Sequence, residues 1–227
     1  MTPETYAAWR ATPLGATTER LEHAVLVDLL GDPTGLDVLD IGCGDGEWAL
    51  LLARRGARVS AIDVSPAMVE SARARFAGAG FDADVRLADA EDLPFPAASF
   101  DRVSIVTALC FVDHPEVAAR EAARVLRPGG LLVVGELGRF SSWAMRRRVR
   151  GWLGDATWRN ARFWSAGELR RLTSSAGLVP ERRGTAIYFP HSDQAARRFE
   201  RLDAAVGRLL GQVGAAFVAV SARRPTA

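Results

Sequence analysis

The stretch Val38-Leu39-Asp40-Ile41-Gly42-Cys43-Gly44-Asp45-Gly46 decides the fold. A short apolar run contains one acidic residue, three glycines follow at alternate positions, and an amphipathic segment begins at Glu47. This pattern predicts a buried strand that turns sharply into a helix. Free backbone N–H groups at the start of such a helix favour an anionic group. We therefore expect a ligand on this turn.

Length and composition limit the classes of protein to which the chain can belong. With 227 residues, of which 48% are hydrophobic and 25% charged, the chain is expected to form one globular domain. The net charge of +2 is too small to indicate nucleic acid as a partner. Cys43 and Cys110 lack metal-ligand spacing, so no metal site is predicted. No apolar run could span a bilayer, and residues 1–6 lack a signal-peptide layout, so we expect a cytoplasmic protein without a membrane partner.

Strand and helix signals alternate along the chain. The predicted strands are 38–41, 58–63, 84–88, 100–106, 131–136, 185–189 and 216–220, and the main predicted helices are 6–30, 47–55, 65–76, 115–126 and 193–210. This spacing predicts an α/β fold, a three-layer, doubly wound, seven-stranded and mostly parallel sheet of the Rossmann-like kind with an antiparallel edge. Residues 1–227 are expected to form a single domain. Its predicted parts are a helical cap (1–30), a ligand-binding core (36–137), a lid (138–164) and the end of the sheet (165–227).

The charges around the glycine turn distinguish between two nucleotide-type ligands. A dinucleotide fingerprint needs its third glycine one position later than Gly46, although Asp63 ends the second strand where ribose hydroxyls would bind. Asp40 would repel a pyrophosphate, whereas it would attract the ammonium group of an amino acid. The turn therefore favours S-adenosylmethionine over a dinucleotide.

Four separated blocks together resemble the class I S-adenosylmethionine-dependent methyltransferases of the small-molecule type, with a methyltransferase type 11-like domain. The blocks are residues 38–46, 61–68, 88–101 and 124–130. Residues 163–178 resemble the late helix of the same family, so the resemblance covers roughly positions 36 to 180. It implies an enzyme that transfers a methyl group from S-adenosylmethionine to a small-molecule acceptor and releases S-adenosylhomocysteine.

The resemblance also implies which residues contact the cofactor. Those around its methionine moiety would be Asp40, Gly42, Cys43 and Gly44. Those around its ribose and adenine would be Asp63, Val64, Met68, Asp89, Ala90 and Glu91. Thr107 would form the floor of the methyl-transfer site. Asp63 and Asp89 have an alternative role, because either carboxylate could simply cap the turn that follows it.

Methyl transfer needs a general base only when the acceptor arrives protonated. His114, just past the fourth strand, is one candidate catalytic residue, and its alternative is a turn residue before a helix capped by Asp113. Tyr6 is the other candidate, since it could reach over the cofactor, and its alternative is packing beside Trp9. Glu136, at the end of the fifth strand, is either a substrate contact or an ordinary polar strand end.

Residues 139–164 are rich in tryptophan and arginine. We interpret them as a lid over a small-molecule pocket to which Trp143 and Trp164 contribute, with arginines on the outer face. Alternatives are a nucleic-acid surface and a plain amphipathic helix. At the level of function, the alternatives are an RNA or protein methyltransferase and a non-catalytic S-adenosylmethionine-binding sensor or scaffold.

Overall fold

The computed structural model describes residues 2–226. Its strands are β1 (Asp37–Ile41), β2 (Arg58–Asp63), β3 (Asp84–Leu87), β4 (Phe100–Val106), β5 (Leu126–Leu137), β6 (Val179–Ala186) and β7 (Phe217–Arg223). Its helices are α1 (Pro3–Arg10), α2 (Pro13–Leu30), α3 (Glu47–Arg54), α4 (Pro66–Ala79), α5 (Pro115–Val125), α6 (Ser142–Trp152), α7 (Ala156–Arg159), α8 (Ala166–Ser175), α9 (Asp193–Phe199) and α10 (Asp203–Leu210). A single 3-10 turn, Glu200–Leu202, joins the last two helices. Within this part of the chain no helix is long and apolar enough to cross a membrane.

The seven strands form one sheet in the order β3-β2-β1-β4-β5-β7-β6. The first five strands in this order pair in parallel, and β7 pairs antiparallel with both of its neighbours. The predicted seven-stranded, mostly parallel sheet with an antiparallel edge region is confirmed. The single reversed strand is β7, which lies one strand inside the edge formed by β6.

Helices cover both faces of the sheet. One core cluster contains Leu26 of α2, Trp48 of α3 and Phe76 of α4, and the opposite cluster contains Ala118 of α5 and Leu169 of α8. Strands buried on both faces are apolar almost throughout, which is why β1 is recognisable as a continuous apolar run. The three-layer arrangement brings the carboxyl ends of β1, β2, β4 and β5 to one edge, where open α/β sheets bind ligands.

Local sequence signals place several helix ends correctly. Ser65 caps α4 before a proline in its first turn, as predicted. Ser165 and Glu168 form the reciprocal capping box of α8. The segment predicted as one helix over 6–30 is two helices, because Thr12 caps α2 and its hydroxyl oxygen accepts a bond from the N–H of Gly15.

Several predicted boundaries were wrong for identifiable reasons. β5 begins at Leu126 rather than at residue 131, and residues 127–130 form an irregularity within it that shifts the register against β4. β6 begins at Val179 rather than Thr185, because its charged residues are those of an exposed edge strand and carry no apolar signal. It also ends before Phe189, since Ile187 adopts a φ of 66° and the backbone N–H groups of Ile187 and Tyr188 donate to the carboxylate of Asp203 instead of to a strand. The helix predicted over 193–210 is two helices broken ahead of Asp203.

Candidate active site

The glycine turn connects β1 to α3 and lies close to its neighbours. Gly42 has a φ of 71°, and a Cβ atom there would lie 2.4 Å from the Cβ of Ala108. Gly44 has a φ of 55°, but a Cβ atom there would meet nothing within 4 Å. Gly42 is therefore required for packing, whereas the face of Gly44 is open to a ligand.

Asp40 is the acidic residue buried beneath this turn, with 2% exposure. Its Oδ1 accepts a 2.8 Å hydrogen bond from the hydroxyl of Ser104, and that hydroxyl oxygen accepts one of 3.1 Å from the indole N–H of Trp48. Burial raises the pKa of Asp40 to about 7; the bond from Ser104 opposes this shift and the charge of Asp63 adds to it. A cationic ligand group beside Asp40 would restore its charge.

Asp63 ends β2 next to the turn. Its Oδ2 accepts a hydrogen bond of 2.8 Å from the N–H of Gly44, and its Oδ1 accepts one of 2.9 Å from the N–H of Ser65. The carboxylate therefore stabilises the loop, and a carboxylate still has acceptor capacity after two such bonds. Val64 exposes 71% of its surface beside it, and Met68 is half-buried in the first turns of α4. An exposed aliphatic side chain next to a carboxylate suits an adenosine, whose base is apolar and whose ribose donates hydrogen bonds.

The loop after β3 holds the remaining residues predicted to contact adenine. Asp89 is exposed, and its Oδ1 accepts a 2.9 Å bond from the N–H of Glu91, so it caps its own turn. Glu91 accepts bonds of 2.8 Å from both the backbone N–H and the ring Nδ1 of His114. His114 itself occupies the capping position just before α5 and forms no side-chain capping bond, so the expectation that Asp113 caps that helix was wrong. This contact holds the two loops together and ties the histidine to a carboxylate. Ala90 lies half-buried between them.

Thr107 directly follows β4 and has a strained backbone conformation with a φ of 49°. Strain of this kind in a residue other than glycine concentrates at functional sites. Its carbonyl faces the thiol of Cys110 at 3.3 Å, and the N–H of Cys110 donates to the carboxylate of Glu136 at 3.3 Å. Glu136 is fully buried, and this burial raises its pKa to about 7. The structure thus brings Thr107 and Glu136, two of the predicted site residues, together around Cys110.

The lid helix α6 adds an arginine to this region. The guanidinium of Arg147 lies between two indole rings, 5.3 Å from the centre of Trp143 and 4.8 Å from that of Trp158. Trp143 is 2% exposed and donates a 2.8 Å bond to the carbonyl of Phe189. Trp164 is placed elsewhere, because it packs in the core cluster of the opposite face of the sheet. The two tryptophans predicted to share the pocket are therefore not brought together.

The cap helix α1 is fastened to the glycine turn by an ion pair. Arg10 donates from both of its terminal nitrogens to the carboxylate of Asp45, with one of these distances being 2.9 Å, and its side chain is only 9% exposed. The ring of Tyr6 stacks on Trp9 at 5.6 Å, and the guanidinium of Arg10 lies 4.9 Å above the same ring. Burial raises the pKa of Tyr6 above its ordinary value, so the phenol stays protonated at neutral pH.

Glu22 on α2 is a candidate residue that the sequence analysis missed. Burial raises the pKa of this carboxyl to about 8; the positive charge of Arg147 opposes the shift, and the negative charges of Glu19 and Glu136 add to it. By its surface exposure, the side chain of Glu22 is half-buried. One feature of the sequence could have identified Glu22. It lies one helical turn after another acidic residue, Glu19, on a helix that also buries Leu26.

We call Tyr6, Glu22, Cys110, Glu136 and Arg147 the inner cluster. Its members lie on α1, α2, β5, α6 and the loop after β4, and they are buried or half-buried. The inner cluster therefore combines a cation and two carboxyl groups of raised pKa at the carboxyl end of the sheet. By contrast, a surface depression of about 550 Å³ is lined by Asp37, Arg58, Asp84 and Phe100, the first residues of four strands, and so lies at the opposite end of the sheet.

These features define an α/β protein that binds a nucleotide-type ligand at the carboxyl ends of its strands. The residues fit S-adenosylmethionine. The acidic residues Asp40 and Asp63 lie near the carboxyl ends of β1 and β2. Gly44 presents an open face, and Val64 has an exposed apolar side chain. Among residues 2–226 there is no cluster of side chains that could hold a metal ion.

Comparisons with known proteins agree with this description. A family model described as a methyltransferase domain matches residues 39–134. A ubiquinone biosynthesis O-methyltransferase of Xanthomonas axonopodis is 34% identical over 170 residues, which are 72% of this chain and 71% of the relative. An uncharacterised protein of Mycobacterium tuberculosis is 34% identical over 223 residues, 96% of this chain and 70% of that relative.

The fold comparison leads to the same class. A crystal structure described as a SAM-dependent methyltransferase, possible histamine N-methyltransferase, from Thermotoga maritima has a TM-score of 0.73 and 27% identity, covering 97% of this chain and 95% of that one. The chain belongs to the class I S-adenosylmethionine-dependent methyltransferases. The predicted family, enzyme class and methyl donor are confirmed.

Proposed function

We propose that this methyltransferase methylates a hydroxyl group of a small, partly apolar molecule held at the inner cluster. We further propose that Glu22 accepts the hydroxyl proton. The observation that carries the proposal is the placement of Glu22, which lies half-buried on α2 and close enough to Arg147 and Glu136 for their charges to act on it. Burial raises the pKa of this carboxyl to about 8. A base whose pKa lies near the working pH is the most efficient kind of proton acceptor.

The cofactor supplies an activated methyl group and leaves as S-adenosylhomocysteine. In this proposal Asp40 receives its ammonium group, Asp63 receives its ribose hydroxyls, and Asp89 lies by its adenine. The protein then has to align the acceptor with the methyl group for in-line displacement and exclude water. The acceptor oxygen gains the methyl group while its proton passes to the Glu22 carboxylate, so charge and atoms balance.

Aromatic surfaces support an acceptor with an apolar body. Trp143, Trp158 and Phe111 form adjacent rings under and beside α6, with Phe111 and Trp158 centred 6.4 Å apart. Arg147, held between two of them, would bind an acidic or hydroxyl substituent of the acceptor. The O-methyltransferase names of curated relatives support oxygen as the acceptor atom. We also propose that residues 1–30 act as the cap and 138–164 as the lid of a single domain, and that the enzyme works in the cytoplasm.

Turnover with matched acceptors tests the proposal. We expect S-adenosylhomocysteine to form with S-adenosylmethionine and small phenols or catechols, together with a methyl ether detected by mass spectrometry. Amines with the same carbon skeleton are the control, and they should give no methylated product. Methylation of the amines alone would contradict the assignment to oxygen. Cofactor binding with no turnover on a broad set of small molecules would instead favour a sensor.

The buried carboxyl of Asp40 predicts a pH dependence of cofactor binding. Below pH 7 this group is protonated, and an ammonium ligand favours its charged form, so binding must release a proton. The affinity for S-adenosylhomocysteine should therefore fall by up to about tenfold for each pH unit below 7. Calorimetry between roughly pH 5.5 and pH 8, a range that brackets the pKa of Asp40, measures both the affinity and, in two buffers of different ionisation enthalpy, the proton release.

Two variants distinguish the effect of Asp40 from that of Glu136, the other buried carboxyl whose pKa is raised to about 7. Asp40→Asn should bind the product with an affinity that no longer changes with pH in this range. Glu136→Gln, which removes the second buried carboxyl, should keep the wild-type dependence. The opposite pattern would place the ammonium group at Glu136.

A further inference from the structure

The outer face of the lid helix α6 carries a row of exposed apolar side chains. Met145, Val149, Trp152 and Leu153 have exposed fractions of 58, 40, 80 and 83%. The opposite face of the same helix buries Trp143, Ala144 and Gly151 against the protein. The helix therefore has a second apolar face beyond the one that its packing needs.

The spacing of the exposed side chains makes them one continuous strip. Positions 145, 149, 152 and 153 follow the intervals of four, seven and eight residues that bring side chains onto one side of a helix. Exposed strips of large apolar side chains on a folded protein mark interaction surfaces. We call these four residues the outer strip.

Arginines border the outer strip. Arg146 and Arg150 lie along one side and Arg148 along the other, as the same helical spacing requires. Arg150 pairs with Asp155 at 2.6 Å and Arg148 lies 4.9 Å from the ring centre of Phe163, while Arg146 has no carboxylate partner within residues 2–226. Residues 139–164 contain seven arginines and one acidic residue, although the whole chain has a net charge of only +2. Positive charge is thus concentrated around the outer strip.

We propose that the outer strip docks onto an anionic lipid surface, with α6 lying parallel to the membrane plane. An apolar strip between arginines, with an exposed tryptophan, has the composition of helices that insert shallowly into the headgroup region. A docking helix needs no membrane-spanning segment, so the proposal is compatible with the finding that no helix within residues 2–226 is long and apolar enough to cross a membrane. It differs from the sequence-based expectation of no membrane partner.

Charge and shape favour lipid over other occupants. A second copy of the chain would bring arginines against arginines across a symmetric contact. A nucleic acid would need arginines at the centre of the contact, where the phosphates lie, whereas the centre here is apolar. A membrane with acidic headgroups satisfies both components, because its acyl region takes the apolar strip and its headgroups take the arginines.

The inference does not rest on the proposed function, but it bears on how an acceptor reaches the enzyme. The inner face of the same helix carries Trp143 and Arg147, so docking would place the inner cluster one helix thickness from the lipid. An apolar acceptor dissolved in the membrane would then have a short path to it.

Vesicle flotation tests the proposal with the full chain. The wild type is expected to float with vesicles of phosphatidylcholine and phosphatidylglycerol at low salt and to stay behind with phosphatidylcholine alone. Trp152→Ser/Leu153→Ser should lower the lipid-bound fraction at least about tenfold, because both side chains leave the apolar strip. Arg146→Gln should weaken binding about fivefold, the effect of one charge near an anionic surface. Unchanged calorimetric affinity for S-adenosylhomocysteine shows that each variant is folded.

Leu209 provides a matched control, since it is 84% exposed on α10, outside the outer strip. Leu209→Ser should keep wild-type flotation, whereas Leu153→Ser should not. Equal flotation of both single variants, or no flotation of the wild type with anionic vesicles, would overturn the proposal. Loss of a dimer in Trp152→Ser/Leu153→Ser, measured by analytical ultracentrifugation without lipid, would assign the strip to self-association instead.

Discussion

Replacing Asp45 by alanine is expected to lower the free energy of unfolding by about 3–5 kcal/mol, the cost of leaving a buried charge without its partner. Asp45 is 2% exposed, and its carboxylate binds Arg10 from the cap helix and Arg75 from α4, the latter at 2.6 Å. The guanidinium of Arg10 would remain enclosed after the substitution. Chemical denaturation followed by circular dichroism measures the change.

Two comparisons make this expectation specific. Asp28→Ala breaks an exposed pair with Arg182, so it should cost only about 0–1 kcal/mol. After Asp45→Ala the buried guanidinium of Arg10 keeps only the longer 3.5 Å contact with Glu19, so Arg10→Met in this background should recover part of the lost stability. Equal costs for Asp45→Ala and Asp28→Ala would show that the buried pair contributes no more than a surface one.

Replacing Glu22 by glutamine should reduce kcat on a hydroxyl acceptor by about 10²–10⁴-fold, the usual contribution of a positioned proton acceptor. Glutamine keeps the shape of the side chain but cannot take up the proton. Since the pKa of Glu22 is raised to about 8, the carboxyl is mostly protonated at lower pH, and kcat/KM should rise with pH up to about this value. The variant should lose that rise while binding S-adenosylhomocysteine as the wild type does.

Neighbouring carboxyls and the sequence-predicted catalytic residue serve as controls. Glu19 lies one turn earlier on α2 and is 3.5 Å from the guanidinium of Arg10, so Glu19→Gln should keep most of the activity. His114→Gln should also remain active, because that side chain is 71% exposed and paired with Glu91. A large loss in His114→Gln together with normal turnover in Glu22→Gln would return the catalytic role to the histidine.

The parts of the fold that depend on short stretches of sequence, such as apolar runs and helix caps, could be predicted from the sequence. The order of the strands follows from alternating apolar runs and helical segments, and the ligand-binding edge follows from parallel topology. The residues proposed to contact the methyl donor are recognisable because Asp40, Gly44 and Asp63 belong to short motifs at strand ends. The edge strand β6 was misplaced because its exposed, charged sequence resembles a loop.

The acceptor side depends on contacts between distant segments, and this is why it could not be predicted. Arg147 is one of three consecutive arginines, and only the packing of α6 turns it inward between two indoles while Arg146 points away. The pKa of Glu22 is raised chiefly by burial, and the charges of Arg147 and Glu136, more than a hundred positions away in the chain, act on it in opposite directions. Trp164 shares the composition of the lid but packs into the opposite core, so composition alone could not separate it from Trp143.

The position of β7 dictates the order in which the sheet can assemble. Strand β6 pairs only with β7 within residues 2–226, and β7 in turn pairs with β5. Strands β1 to β5 can therefore form a continuous parallel sheet as soon as they are synthesised, with the donor-binding turn already in place. Residues 179–186 must then wait, unpaired, until residues 217–223 leave the ribosome and bridge them to β5. The sheet is completed when β7 inserts between β5 and β6. This pairing joins segments far apart in the chain, so it is slow compared with the pairing of the earlier strands.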